Sequence, residues 1–208
     1  MEKSLRKEKE FKARRSEILK EAEKIFASKG FYLTTMSEIA NASGFAIGTL
    51  YQFFTGKEDL YTRMICEKLE KMYSEIRETV NNSPTTAEKI ENLVSTHFYF
   101  VENNVDFCNL FIRGEGATLS KGKTILRDKM IADYLNHIAF IENIMRIGIE
   151  ERLIKAVEPR VMACVLFGIV RVFIYDWMLT NQEAPLSSRV GCALDIFMNG
   201  VRAEVPQC

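Results

Sequence analysis

A chain of 208 residues is long enough to bury a sizeable core, as one domain or two small ones. With 47% hydrophobic and 27% charged residues it falls outside the disordered classes, and its four prolines favour long uninterrupted helices. Its formal net charge is zero, so any case for a polyanionic partner rests on how charge is distributed and not on the sum.

The distribution is uneven from the start. Lys3, Arg6, Lys7, Lys9, Lys12, Arg14 and Arg15 outnumber Glu2, Glu8 and Glu10, giving residues 1–15 a net +4. Such an arm either adds salt-dependent phosphate contacts or is a solvated tail, and composition alone leaves both open. No apolar run follows it, so no signal peptide is expected. The five cysteines are odd in number and form no C-x-x-C pair, which reads as reduced thiols of a cytoplasmic protein.

Helical periodicity dominates and strand-like alternation is absent, which predicts an all-α fold. The first helix is predicted from about Glu10 to Ser28, with Ile18, Leu19, Ala22, Ile25 and Phe26 on one stripe and Gly30 as its C-terminal cap. Thr35-Met36-Ser37-Glu38 has the form of a capping box and opens a short helix through about Ala42. Ser43-Gly44-Phe45 is a tight turn, and a second short helix covers about Ala46 to Phe53. A long helix starts at Thr55-Gly56-Lys57-Glu58, with Leu60, Met64, Ile65, Leu69, Met72 and Ile76 along its stripe. Asn81-Asn82-Ser83-Pro84-Thr85 is the clearest break in the chain. Further helices are predicted at about 86–103, 105–114, 122–152, 158–181 and 187–203.

Two short helices joined by a glycine-containing turn form a helix-turn-helix, here Met36 to Phe53. Ile39, Ala40 and Ala42 are apolar or small where the first helix packs and the two helices approach. Leu50 and Phe53 are placed to bury against the first long helix. Ala46, Ile47, Thr49 and Gln52 are left facing outward. The N-terminal residues of the second helix of such a unit reach base edges in the major groove. Gln52 suits bidentate pairing with adenine, Thr49 a base or a phosphate, and Ala46 and Ile47 a thymine methyl. Thr35, Tyr51 and Lys57 complete the expected DNA-contacting set, with Tyr51 and Lys57 assigned to phosphate.

The run from Thr34 to Leu60 closely resembles the DNA-binding signature of the TetR (tetracycline-repressor-like) family. Gly-Thr-Leu-Tyr at 48–51, Phe-Phe at 53–54 and Lys-Glu-Asp-Leu at 57–60 stand in the family's order and spacing. With the first helix, the match covers roughly residues 12–65. Many members place Ser before the recognition helix and a basic residue or Pro next. Here stand Ala46 and Ile47, which forgo a possible N-cap and a possible phosphate contact. The resemblance implies a helix-turn-helix domain at 1–57, a helical effector-binding and dimerisation domain at 58–208, a homodimer on a palindromic double-stranded operator, and repression relieved by a small hydrophobic or amphipathic effector. A DNA-binding protein without an effector and, more weakly, an all-helical enzyme are the alternatives. No catalytic constellation, cofactor motif or metal-ligand cluster stands out in the sequence.

In the second part, aromatic residues make the candidate effector contacts: Phe98, Phe107, Phe111, Tyr134, Phe167 and Tyr175, with His137 and Arg171 as polar members. His97 and His137 otherwise read as satisfied core or surface residues. Arg171 interrupts an apolar run from Val161 to Leu179 and needs a partner or water. It is read either as an anchor for an acidic effector or as an ion pair with Asp176 or Asp195. Arg171 and Asp176 make a membrane span costly, so the run is expected to be a core helix buried on most of its circumference. With the helix after it, it is read as half of a four-helix dimer interface, as the family pattern implies.

Overall fold

The computed structural model describes residues 2–113, 122–180 and 184–199. All regular structure among them is helical: α1 (Glu2–Leu33), α2 (Met36–Ser43), α3 (Ile47–Phe53), α4 (Lys57–Asn81), α5 (Thr86–Glu102), α6 (Val105–Arg113), α7 (Gly122–Glu150), α8 (Pro159–Leu179) and α9 (Val190–Asn199). A 3₁₀ turn, Leu186–Arg189, leads into α9. Side chains at 2–4, 111–113 and 122–125 lie outside the described set, as does the end of the last predicted helix beyond Asn199. The chain forms two compact units: Met1–Leu69 with Asp106–Met130, and Glu70–Val105 with Ile131–Cys208.

The first unit is built on the stripe of α1. Ile18, Ala22 and Phe26 are fully buried, while Leu19 and Ile25 at its margins are half-buried. Phe26 meets Tyr61 edge-on at 5.0 Å between ring centroids, and Phe31 meets the same ring at 5.2 Å. Such pairs add about 0.5–1.5 kcal/mol beyond their buried area. Helix α1 begins eight residues before the expected start, because the charged turns ahead of Glu10 carry i,i+4 pairs: Arg6 with Glu10 at 3.1 Å and Lys12 with Glu8 at 2.8 Å. Gly30 (φ 83°, ψ 167°) breaks the helical path where a cap is expected, in a region only glycine enters cheaply.

The second unit packs α5, α8, α9 and the later parts of α4 and α7 around Ile76, Leu93, Phe98, Ile141, Met145, Leu166, Val170 and Phe197. Thr85 caps α5 by accepting from the Glu88 N–H at 3.2 Å. Trp177 Nε1 donates to the Ala184 carbonyl at 2.8 Å, and the Ser187 N–H donates to Glu102 at 2.6 Å, which fastens the turn before α9. Helix α8 has two apolar faces, of which its own unit covers one. It is buried along one stripe only, through Ala163, Leu166, Val170, Trp177 and Met178. Val161, Cys164, Val165, Val172, Tyr175 and Leu179 form an exposed stripe, with Val172 at 67% and Leu179 at 77% exposure. Among the described residues α8 is the helix long and apolar enough to cross a membrane, by length and composition alone.

Candidate DNA interface and effector site

Helix α2 opens where the capping box predicts. The Glu38 N–H donates to Thr35 Oγ1 at 3.3 Å, and the Thr35 N–H donates to Glu38 at 2.9 Å. Lys29 also pairs with Glu38, and these donors hold its carboxyl down at about 2, far below the ordinary 4.5. Thr35 is thus both exposed and committed to the cap. Gly44 closes α2 at φ 73°, ψ 18°, its N–H directed to the carbonyls of Ala40 and Asn41. A side chain there would meet open space, so the requirement for glycine is a backbone one.

Helix α3 is anchored by Leu50, which is fully buried. Around it Ala46, Ile47, Gly48, Tyr51 and Gln52 are exposed and Thr49 is half-buried, with Ile47 at 44% and Tyr51 at 54% exposure. Ala46 is the N-cap and makes no side-chain cap, as expected of an alanine in that position. Phe53 is half-buried and packs on Phe11 of α1, ring centroids 4.3 Å apart. Ala42 is exposed and does not fill a helix crossing. The neighbouring Phe54, left out of the predicted core, is buried beneath the Arg15 guanidinium, which stands 5.4 Å from its ring centroid.

Lys57 does a different job from the one predicted. Its ammonium donates to the Phe31 and Thr34 carbonyls, each at 2.8 Å, and to Tyr32 at 3.3 Å, and lies over the Phe31 ring. Its three donors are therefore spent on the turn after α1 instead of reaching out to a phosphate. Burial also moves its pKa down. The cations beside α3 come from α1. Lys7 and Arg14, with Glu10 and Phe11, line a groove of about 170 Å³ shared with Thr49, Gln52 and Phe53. Neither cation forms an ion pair among the described residues, whereas Arg15 is held bidentately by Glu67. Net charge at the N-terminus signalled these cations; their place beside Gln52 depended on α1 starting early.

The second unit holds the candidate effector residues, with exceptions. His97 of α5, Tyr73 of α4, Tyr134, His137 and Phe140 of α7, and Phe167 of α8 converge in one cluster. His137 lies 4.7 Å from Tyr73, 5.0 Å from His97 and 5.0 Å from Phe167, and Tyr134 lies 6.0 Å from Phe167, ring centroid to centroid. Phe98 is fully buried and faces Phe173 at 6.1 Å. Phe107 belongs to the first unit, buried under Lys68, so it is not part of this cluster. The side chain of Phe111 lies outside the described residues. Tyr175 and Arg171 are exposed on α8, where they line an open groove with Gly168, Val172 and Asp176. The expected partners of Arg171 are engaged elsewhere: Asp176 pairs with Arg189 at 2.6 Å and Asp195 accepts from Asn199 at 2.6 Å.

The histidines are not satisfied, contrary to expectation. His97 Nδ1 lies 2.6 Å from the Leu93 carbonyl, but His97 Nε2 and both ring nitrogens of His137 are buried without a hydrogen-bond partner among the described residues. Burial keeps both rings neutral, pushing His97 down to about 4 and His137 to about 2. Burial and the nearby Asp133 push the Tyr73 phenol up to about 12. No group of three or more potential metal ligands occurs among the described residues.

A capped helix, a glycine turn and a second helix with an exposed face on a buried anchor define a helix-turn-helix DNA-binding protein. Residues 18–64 match the family described as bacterial regulatory proteins, tetR family, and residues 65–200 match the C-terminal region of YsiA-like proteins. The chain belongs to the TetR family and is a DNA-binding transcriptional regulator. It is 24% identical over 186 residues to the fatty acid metabolism regulator protein of Bacillus subtilis, covering 89% of this chain and 94% of that one. Its fold is similar to that of the regulator FadR from Bacillus subtilis solved with stearoyl-CoA (TM-score 0.76, 22% identity, 90% of this chain and 99% of that one). It is also similar to AibR solved with isovaleryl coenzyme A and operator DNA (TM-score 0.69, 20% identity, 89% and 98%).

Proposed function

We propose that two copies of this chain repress transcription from a palindromic operator and that an acyl thioester of coenzyme A, held among the helices of the second unit, releases them. The observation that carries the DNA half is α3: Ala46, Ile47, Thr49, Tyr51 and Gln52 stand around the buried Leu50 in the pattern a major groove accepts. Gln52 reads a base, and Lys7 and Arg14 neutralise flanking phosphates in place of Lys57. In this reading residues 1–57 form the DNA-binding domain and 58–208 the effector and dimer domain, and the protein is cytoplasmic and not an enzyme.

The effector half draws on the aromatic cluster around His137 and on the acyl-CoA complexes of the two similar proteins. The dimer draws on α8 and α9. The exposed stripe of α8, together with Gly191, Cys192 and Met198 of α9, is covered by the same stripe of a second protomer, not by lipid. Two recognition helices then read half-sites roughly 34–36 Å apart or a multiple of that spacing. An effector coupling of about 1–3 kcal/mol changes operator affinity about 5–150-fold.

Fluorescence anisotropy against DNA from upstream of the chain's own gene, with a shuffled duplex as control, tests this. The expected result is sequence-dependent binding by two protomers, weakened by long-chain acyl-CoA and not by free coenzyme A. Binding that no acyl-CoA alters would leave the regulator and remove the effector assignment.

A further inference from the structure

The cluster around His137 is built of aromatic rings, with the phenols of Tyr73 and Tyr134 in it and Asp133 and Arg77 near enough to act on Tyr73 and His137, and its histidine nitrogens have a definite hydrogen-bonding need. The Leu93 carbonyl accepts at 2.6 Å, so the His97 proton sits on Nδ1 and Nε2 presents a lone pair with no donor. His137, with a neutral ring, has one N–H and one lone pair, both unused. The two rings stand edge to face with centroids 5.0 Å apart. Buried polar atoms left this way are destabilising, and a core that binds nothing avoids them by placing apolar residues there. Tyr73, Tyr134, Phe140 and Phe167 around them suit a hydrocarbon chain.

We infer that the effector is an acyl thioester whose chain carries a hydroxyl group, and that His97 and His137 are the residues that read it. This rests on the acyl-thioester reading above. A hydroxyl both donates and accepts, so one group can give its proton to His97 Nε2 and take the N–H of His137. A keto oxygen only accepts and leaves the lone pair of His97 empty. A saturated chain leaves all three nitrogens empty and adds apolar surface against them. Sites built to hydrogen-bond a hydroxyl discriminate strongly against the analogue without it, because their own buried groups are then stranded.

Isothermal titration calorimetry on the full-length protein tests the inference. The probes are a saturated long-chain acyl-CoA, its keto analogue, and analogues with the hydroxyl near the thioester, at mid-chain or at the far end. At least one hydroxylated probe should bind about tenfold or more tightly than the saturated one, with the keto analogue between them. His97→Leu and His137→Leu should each bring that ratio close to one. Equal or tighter binding of the saturated probe by the wild-type protein overturns the inference and leaves the acyl-thioester reading intact. Absence of binding by every probe removes that reading itself, and the inference with it. The wild-type comparison is decisive even if a histidine variant fails to fold.

Discussion

Two groups of polar residues in this molecule are organised in opposite ways. Around α3 the polar side chains are on the outside, and the groups that shape the turn are hydrogen-bonded: Thr35 to Glu38, Gly44 to α2, Lys57 to three carbonyls. Around His137 the polar atoms are inside and three ring nitrogens are without partners. The first arrangement is complete before its ligand arrives and offers it a finished surface. The second is incomplete, and its remaining hydrogen bonds have to come from whatever binds. A regulator gains from that division, since the DNA-reading shape must exist without effector while the effector site must be stabilised by occupation.

The contrast is broken most violently at the anchor of the finished surface. Leu50→Ala removes a fully buried side chain between α3 and its support and should cost about 2–5 kcal/mol, read as a fall in the urea midpoint. Operator affinity should fall with it. An unchanged midpoint would mean that α3 does not depend on this residue. Gln52→Ala leaves the scaffold alone, because its side chain is exposed. It should cost about 1–3 kcal/mol of operator binding and relax preference at one base pair, measured with a panel of single-base operator variants. Lys7→Ala and Arg14→Ala should weaken binding to all sequences alike and each lower the salt slope by about one. A base-specific effect from either would move it from the backbone to the groove.

What the sequence disclosed follows the same division. Capping box, turn glycine, recognition face and the order of the helices are local features, written within a few residues of one another, and they were legible from Thr34 to Leu60. Lys57 was misread because its partners, Phe31 to Thr34, are brought to it by the fold and not by spacing. The histidine cluster was half legible. His137 stood among the effector candidates, but its meeting with His97 and Tyr73 joins positions 73, 97 and 137 on three helices, and no periodicity records that. The run of α8 reads as needing a second partner, but does not tell which of its residues would face one. A helix apolar all round has the same sequence whether its own core or a second protomer covers it.

The incomplete region gives an unusual prediction of sign. His137→Leu removes two unsatisfied buried nitrogens at nearly constant volume, so the unliganded protein should be no less stable and should gain on the order of 1 kcal/mol. A loss of stability would mean that an ordered water already serves these atoms. Acid sharpens the point. Both histidines are depressed below 6.5, so their protonation costs no stability above that pH and lowers stability progressively as pH falls from 6.5 towards their folded values of about 4 and about 2. Urea midpoints measured from neutral pH down to about pH 5 should fall for the wild-type protein and fall less for His97→Leu.

The smallest effect belongs to the finished surface and lies in a different window. The carboxyl of Glu38 is held at about 2 against an ordinary 4.5 by Lys29 and Thr35, so its contribution is complete above 4.5 and is lost as pH falls from there towards 2. Glu38 is exposed, and solvent screening keeps that contribution small. The helix-turn-helix should therefore be indifferent to acid over the range in which the histidine cluster already weakens the second unit. Carboxyl chemical shifts followed through the titration should show Glu38 still ionised well below pH 4.5. Its titration at the ordinary 4.5 would mean that neither the pairing with Lys29 nor the hydrogen bonds from Thr35 to its carboxylate hold in solution.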